Sequence, residues 1–343
     1  MKKLLPFALC FLLFFSCANE QESQREALLF RGNVQLEEQN YSQAVRYFTD
    51  ALAVDGNYVD AYNNRGIAYY EQGRYKQALE DYTIALEIKP DFTDALYNRS
   101  HAYQQLGLWE ESLQDLRQVE QVYTDSADVF FSKGISFTNL HEYDSAVLAF
   151  DKAIQLNPKN AEAYINRGVV KLYERDFTGA EADLEKAIKL KDNEPNAYNT
   201  LALLMIEKKN YEEALSLVDT ALKLSFRNPY FLNNRGFIYT QLGEYEKAAE
   251  DIELSMKLDK QNPWAYRNKG VLLLYQEKFV EAEEMLNKAL EMDPFLDEAY
   301  YYLGELYYRQ NQIEKACEYW HRSAEMEEPA GMQAIEELCQ FQE

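Results

Sequence analysis

The chain has 343 residues, is 47% hydrophobic and 27% charged, and carries a formal net charge of −23. That acidity argues against nucleic-acid binding, which needs a basic surface, and against adhesion to an anionic membrane face through basic patches. A solvated acidic exterior is the plain reading.

At the N-terminus, Lys2 and Lys3 precede the run LLPFALCFLLFFS and then Cys17. A short basic segment before an apolar run of about 13 residues reads as a secretory signal over residues 1–16. The run is too short for a transmembrane helix. Phe14-Phe15-Ser16-Cys17 resembles a bacterial lipobox, with Phe14 where leucine is usual. The resemblance implies cleavage before Cys17 and acylation of Cys17, several chains together giving stable anchoring. Ala18-Asn19 lacks an aspartate after the cysteine, so the same resemblance implies the outer membrane, facing the periplasm. An ordinary signal with an incidental cysteine is the alternative. Residues 17–24 are expected to form a polar tether reaching at most ~25 Å.

From residue 25 to residue 330 the chain repeats itself every 34 residues. Gly66 recurs as Gly32, Ser100, Gly134, Gly168, Ala202, Gly236, Gly270 and Gly304. Ala78 recurs as Ala44, Ser112, Ala146, Ala180, Ala214, Ala248, Ala282 and Ala316. A length that would ordinarily suggest two domains is overridden by such a period. Within one copy, Tyr62, Ile67, Tyr69 and Tyr70 fall at helical spacing, Gly73 stops the run, and Ala78, Tyr82, Ala85 and Ile88 resume it before Pro90. The spacing predicts two amphipathic helices per copy. Gly66 and Ala78 are expected to be small so that the helices of a pair approach closely. One pair cannot bury its apolar face alone, so copies must stack.

The series Gly66, Tyr69, Ala78, Tyr82, Ala85, Pro90 resembles the tetratricopeptide repeat, as do Gly134, Phe137, Ala146, Phe150, Ala153, Pro158 and Gly270, Leu273, Ala282, Leu286, Ala289, Pro294. The resemblance implies an all-α, right-handed superhelical solenoid of about nine helix-turn-helix repeats whose concave groove binds other proteins or extended peptides. It implies little more, because function lives in sites placed on a fold. Residues 331–343 are expected to form a capping helix, with Met332, Ile335, Leu338 and Phe341 on the covering face.

Two polar ladders run through the first helices. One is basic: Arg31, Arg65, Arg99, Lys133, Arg167, Arg235 and Lys269. It could grip acidic peptides. Yet an aspartate follows sixteen residues after Arg65, Arg99, Arg167 and Arg235, at Asp81, Asp115, Asp183 and Asp251. Copies with a lysine or an apolar residue lack it; among the arginines only Arg31, followed by Tyr47 in the terminal copy, breaks the rule. That co-occurrence predicts bidentate pairs tying the two helices of a repeat together. The other ladder is neutral: Asn64, Asn98, Asn166, Asn234 and Asn268, with Ser132 and Thr200 in the remaining inner copies. In tetratricopeptide proteins this position lines the groove. An asparagine offers two donors and an acceptor to a bound peptide backbone, or it could bond between repeats and set the pitch. Both readings stand on the sequence. Phe131, Ile135 and Val169 form the apolar middle of the groove and are the candidate anchor. Arg267 and Arg309 mark a polar end.

Cys10 would leave with the signal, so Cys17, Cys317 and Cys339 would remain. An oxidising envelope allows a Cys317–Cys339 disulfide; two buried thiols are the alternative. CxxC is absent, and His101, His141 and His321 are scattered, so no metal site is expected. Neither GxxxxGK nor GxGxxG occurs. The sequence therefore reads as a non-enzymatic, cofactor-free binding scaffold on the cell envelope, acting as an adaptor or assembly factor. A structural spacer without a dedicated ligand is the alternative.

Overall fold

The computed structural model describes residues 5–326 and 328–339, with side chains from residue 20 onward. The proposed signal, Cys17 and Phe341 therefore lie outside the residues whose side chains are described. Nineteen helices follow one another, and no strand occurs among the described residues. They divide into two compact units, Met1–Val170 and Lys171–Glu343.

In the first unit α1 (Leu5–Glu37) pairs with α2 (Tyr41–Val54), α3 (Val59–Glu71) with α4 (Tyr75–Ile88), α5 (Thr93–Gln105) with α6 (Trp109–Val122), and α7 (Ala127–Asn139) with α8 (Tyr143–Leu156). In the second unit α11 (Pro195–Glu207) pairs with α12 (Tyr211–Leu224), α13 (Pro229–Gln241) with α14 (Tyr245–Leu258), α15 (Pro263–Tyr275) with α16 (Phe279–Met292), and α17 (Asp297–Arg309) with α18 (Ile313–Glu325). Within each unit, each first helix packs most extensively on the second helix of its own pair, and each pair packs in turn on the next. Pro195, Pro229 and Pro263 stand at the first helical position, where no backbone N–H is needed.

The glycines of six first helices, Gly32, Gly66, Gly134, Gly236, Gly270 and Gly304, each face a large residue sixteen positions later. A Cβ on Gly66 would lie 2.5 Å from the Tyr82 ring, and one on Gly134 would lie 2.5 Å from Phe150. The first atoms met are those of the Tyr82 and Phe150 rings, and at Gly236 and Gly270 the backbone carbonyls of Ala248 and Ala282, at the Ala78 position, also lie within 3.3 and 3.2 Å. Where the glycine is replaced, the residue sixteen later carries no ring: Ser100 is followed by Leu116 and Ala202 by Val218, all fully buried, although Gly236 and Gly270 also face aliphatic residues, Ile252 and Leu286. Interiors are close-packed, so volume added on one helix is removed from its neighbour.

The turn inside each pair is left-handed in every copy. Gly73, Gly107 and Gly243 adopt φ of +71 to +77°, and Gln39, His141, Arg175, Lys209, Glu277 and Asn311 adopt φ of 58 to 62° at the equivalent position. Reading Gly73 as a stop signal thus captured three copies. The other six reach the same conformation without glycine, at a steric cost the repeat packing must offset.

Two expected boundaries move. The tether residues belong to α1, since no glycine or proline lies between residues 7 and 31 to end it. Seven helical residues rise about 11 Å, not ~25 Å. The terminal helix α19 begins at Pro329 and ends at Leu338. Its packing face holds Gly331, Ala334, Ile335 and Leu338, while Met332 is 40% exposed. Gly331 sets that face: a Cβ there would meet Ser323 of α18 at 2.8 Å. Cys339 bonds Cys317 of α18, with Cα atoms 5.8 Å apart.

Candidate functional site

From Arg65 onward each described cation of the basic ladder has an acidic partner, and Arg235 has one on either side. Arg65 donates Nε and Nη2 to Asp81, each at 2.8 Å. Arg99 reaches Asp115 at 2.7 and 2.8 Å, and Arg235 reaches Asp251 at 2.6 and 2.9 Å. Arg167 and Asp183 fall in different units; within each, Arg167 donates to Asp151 and Asp183 accepts from Lys171 at 2.8 Å. Asp81, Asp115 and Asp251 are buried. Burial pushes the Asp81 and Asp115 carboxyls up, opposed by the facing arginines. The arginine of each pair is raised: Arg65 chiefly by its hydrogen bond to Asp81, and Arg99 by Asp115 against desolvation.

A second set of partners escaped the sequence reading. Arg65 Nη1 also reaches Thr49 at 3.1 Å, Arg235 Nη1 reaches Asp219 at 2.8 Å, and Lys269 reaches Glu253 at 2.7 Å. Each partner lies sixteen residues earlier, on the second helix of the preceding repeat. Lys133, thirteen residues after Glu120, bonds it at 2.6 Å. The lysine copies therefore do carry acidic partners. Those cations join successive repeats and are occupied. The backward spacing to Asp151, Asp219 and Glu253 was present in the sequence and would have found them.

The asparagine ladder has two rails. Asn98 Nδ2 donates to Asn63 Oδ1 at 2.9 Å, Asn63 Nδ2 to Asn64 Oδ1 at 3.0 Å, and Asn64 Nδ2 to Asn33 Oδ1 at 2.8 Å. In the second unit Asn234 donates to Asn199 and Asn268 to Asn233, both at 2.9 Å. Asn166 donates to the Glu162 carbonyl of its own helix at 2.8 Å. Ser132 is buried, its hydroxyl 3.1 Å from His101 Nε2 and its carbonyl accepting from Gln104 at 2.8 Å. Thr200 is also buried. The ladder donors of Asn64, Asn98, Asn234 and Asn268 are thus engaged between repeats. Phe131 and Ile135 pack against the core formed by Ala146, Phe150 and Val170, with the Phe131 and Phe150 rings 5.9 Å apart. Val169 is half-buried.

Among the described residues the buried side-chain atoms without a hydrogen-bond partner belong to Arg25, Gln241, Asn262, Arg267 and Asn268, the last two on α15. Arg267 is 9% exposed, and its Nε has no hydrogen-bond partner within the protein. It pairs with Glu298 through Nη1 and lies over the Phe237 ring at 5.7 Å. The adjacent Asn268 leaves its Oδ1 buried and unbonded. Burial lowers the Arg267 guanidinium and raises the Tyr302 hydroxyl beside it. Desolvation likewise raises Asp297 and Glu328 and pushes Tyr301 up to about 12. Both atoms are buried and are not satisfied within the protein. Among the described residues no group of three or more His, Cys, Asp or Glu is placed to hold a metal, and no helix is long and apolar enough to cross a membrane.

Five family models describing the tetratricopeptide repeat match residues 59–92, 134–172, 171–233, 229–262 and 267–329. No curated protein sequence matches the chain. Among solved structures, a tetratricopeptide repeat protein from Parabacteroides merdae aligns with TM-score 0.60 and 18% identity over 75% of this chain and 98% of its own. Cut9 with Hcn1 aligns with TM-score 0.62 and 15% identity over 92% and 76%. PilF of Pseudomonas aeruginosa aligns with TM-score 0.52 and 22% identity over 65% and 97%. At these identities the likeness is one of fold.

Proposed function

Because this chain is built of tetratricopeptide repeats, we propose that it is a non-enzymatic protein-interaction scaffold, an envelope adaptor that holds an extended segment of another protein against its first helices. One observation carries the reading: the buried, unmatched Arg267 Nε and Asn268 Oδ1 on consecutive residues, beside the Phe237 ring. Buried polar atoms left without partners are costly, and a peptide backbone supplies both complements. The lipobox resemblance at Cys17 supports a lipid-anchored protein, facing the periplasm from the outer membrane. The spacer reading is favoured by a different observation, the engagement of the ladder amides between repeats.

The test is photo-crosslinking in intact cells, with the probe at Phe237 and a control at Glu246. A dominant adduct from Phe237 alone, weakened by Arg267→Gln, is the expected result. Equal adducts from both positions, or none, would favour the spacer. Metabolic acyl labelling that vanishes in Cys17→Ser tests the anchor separately.

A further inference from the structure

Position 62 of the repeat carries a bulky ring in most copies. Its counterparts are Phe130, Tyr164, Tyr198, Tyr266 and Tyr300. Leu232 occupies that place between α12 and α14, and a cavity of about 640 Å³ opens beside it. Leu222, Phe226, Leu232 and Leu254 form its apolar walls, and Arg235 lines it together with Asp219 and Asp251. That guanidinium is consumed by its two aspartates. A smaller counterpart in the first unit, about 430 Å³, is lined by the polar residues Arg117, Glu120, Gln121 and Thr124, and that repeat carries Phe130 at the ring position.

Three further features converge on the cavity. Phe226 stands where other copies carry Pro90, Pro158 and Pro294, and it is 84% exposed at the rim. The next residue, Arg227, has φ +63°, a left-handed conformation that no equivalent inter-repeat turn shares. Backbone held in that region must be over-determined by its surroundings. Lys223 and Arg227 line the rim and form no ion pair among the described residues. On a chain of net charge −23, two free cations around an apolar hole form a local reversal of sign. The other crevice with a leucine at this place, at Leu96, carries Glu87, Pro90 and Asp91 at the corresponding rim positions.

We propose that this cavity is a second docking site, distinct from the asparagine face, for a partner peptide that buries one bulky apolar side chain between flanking carboxylates. The apolar walls take the side chain. The rim cations select the acidic flanks and reject basic ones. The exposed Phe226 supplies the apolar surface that marks an interaction site.

The test uses a phage-displayed library of random dodecapeptides on the full chain, counter-selected on Leu232→Tyr. That substitution restores the ring carried by neighbouring repeats, so the variant is expected to melt with the wild type. Enrichment of peptides with a large apolar residue beside Asp or Glu is expected. Their binding should fall at least tenfold on Leu232→Tyr, fall about fivefold on Lys223→Glu with Arg227→Glu, and weaken with salt. Arg267→Gln should leave it unchanged, which separates this site from the α15 face. Selected peptides that bind Leu232→Tyr equally well, or that lack acidic residues, would overturn the proposal. So would laurate binding that depends on Leu232 when no peptide does, since that would assign the cavity to an anionic amphiphile.

Discussion

Asn98 donates to Asn63 across thirty-five residues at 2.9 Å, and Asn268 makes the same bond to Asn233 one unit further along the chain. These bonds join consecutive repeats through their first helices, so the ladder is part of what sets one repeat against the next. Asn98 is half-buried, whereas Asn268 is 1% exposed. Asn98→Ala is expected to cost about 1 kcal/mol and Asn268→Ala about 2 kcal/mol, because the more deeply buried partner is left unsatisfied. Urea unfolding of both variants reads the difference. Equal losses near zero would remove the ladder from the stability of the array.

The glycine-to-ring contacts predict a compensating pair. Gly134→Ser drives a side chain into Phe150 and is expected to cost about 1–3 kcal/mol. Gly134→Ser with Phe150→Leu reproduces the natural combination of Ser100 with Leu116 and should recover at least half of that loss. A double-mutant cycle measures the coupling. Additive losses would contradict the size exchange between the two positions.

Left-handed turn residues without glycine predict stabilising substitutions. Lys209 has φ +58° and is exposed. Lys209→Gly should raise stability by roughly 0.5–1 kcal/mol, since the Cβ penalty is removed. Gly243→Ala, at φ +77°, should lower it by a similar amount. Thermal melts of the two variants should move in opposite directions.

His101 predicts acid sensitivity in the first unit. Its imidazole lies against Tyr97, with ring centroids 4.4 Å apart, and within hydrogen-bond distance of Ser132. Desolvation lowers its folded pKa, with Asp128 opposing. The unfolded chain therefore binds the proton more readily. Stability from this group is present above the ordinary histidine value of about 6.5 and is lost as pH falls below it. His101→Gln should flatten the fall in stability between pH 7 and pH 5. An unchanged pH profile would assign the sensitivity to other groups.

The period, the helix pairs, the small residues and the Arg65–Asp81 type of pair were all legible in the sequence. A repeated environment imposes the same residue at the same interval, and residues that must meet vary together from copy to copy within one chain. What the sequence left open was which of several polar neighbours each side chain takes. Asn64 could have faced a ligand; it bonds Asn33 because the preceding helix brings that acceptor within 2.8 Å. Lys269 looked unpaired because its acid, Glu253, belongs to the repeat before it. Leu232 looked like an ordinary apolar substitution, and only the packing of α13 against α12 and α14 shows a cavity beside it. Periodicity follows from local geometry, which the chain encodes residue by residue. Partner choice and empty volume depend on distances between helices, which are decided only once the repeats have stacked.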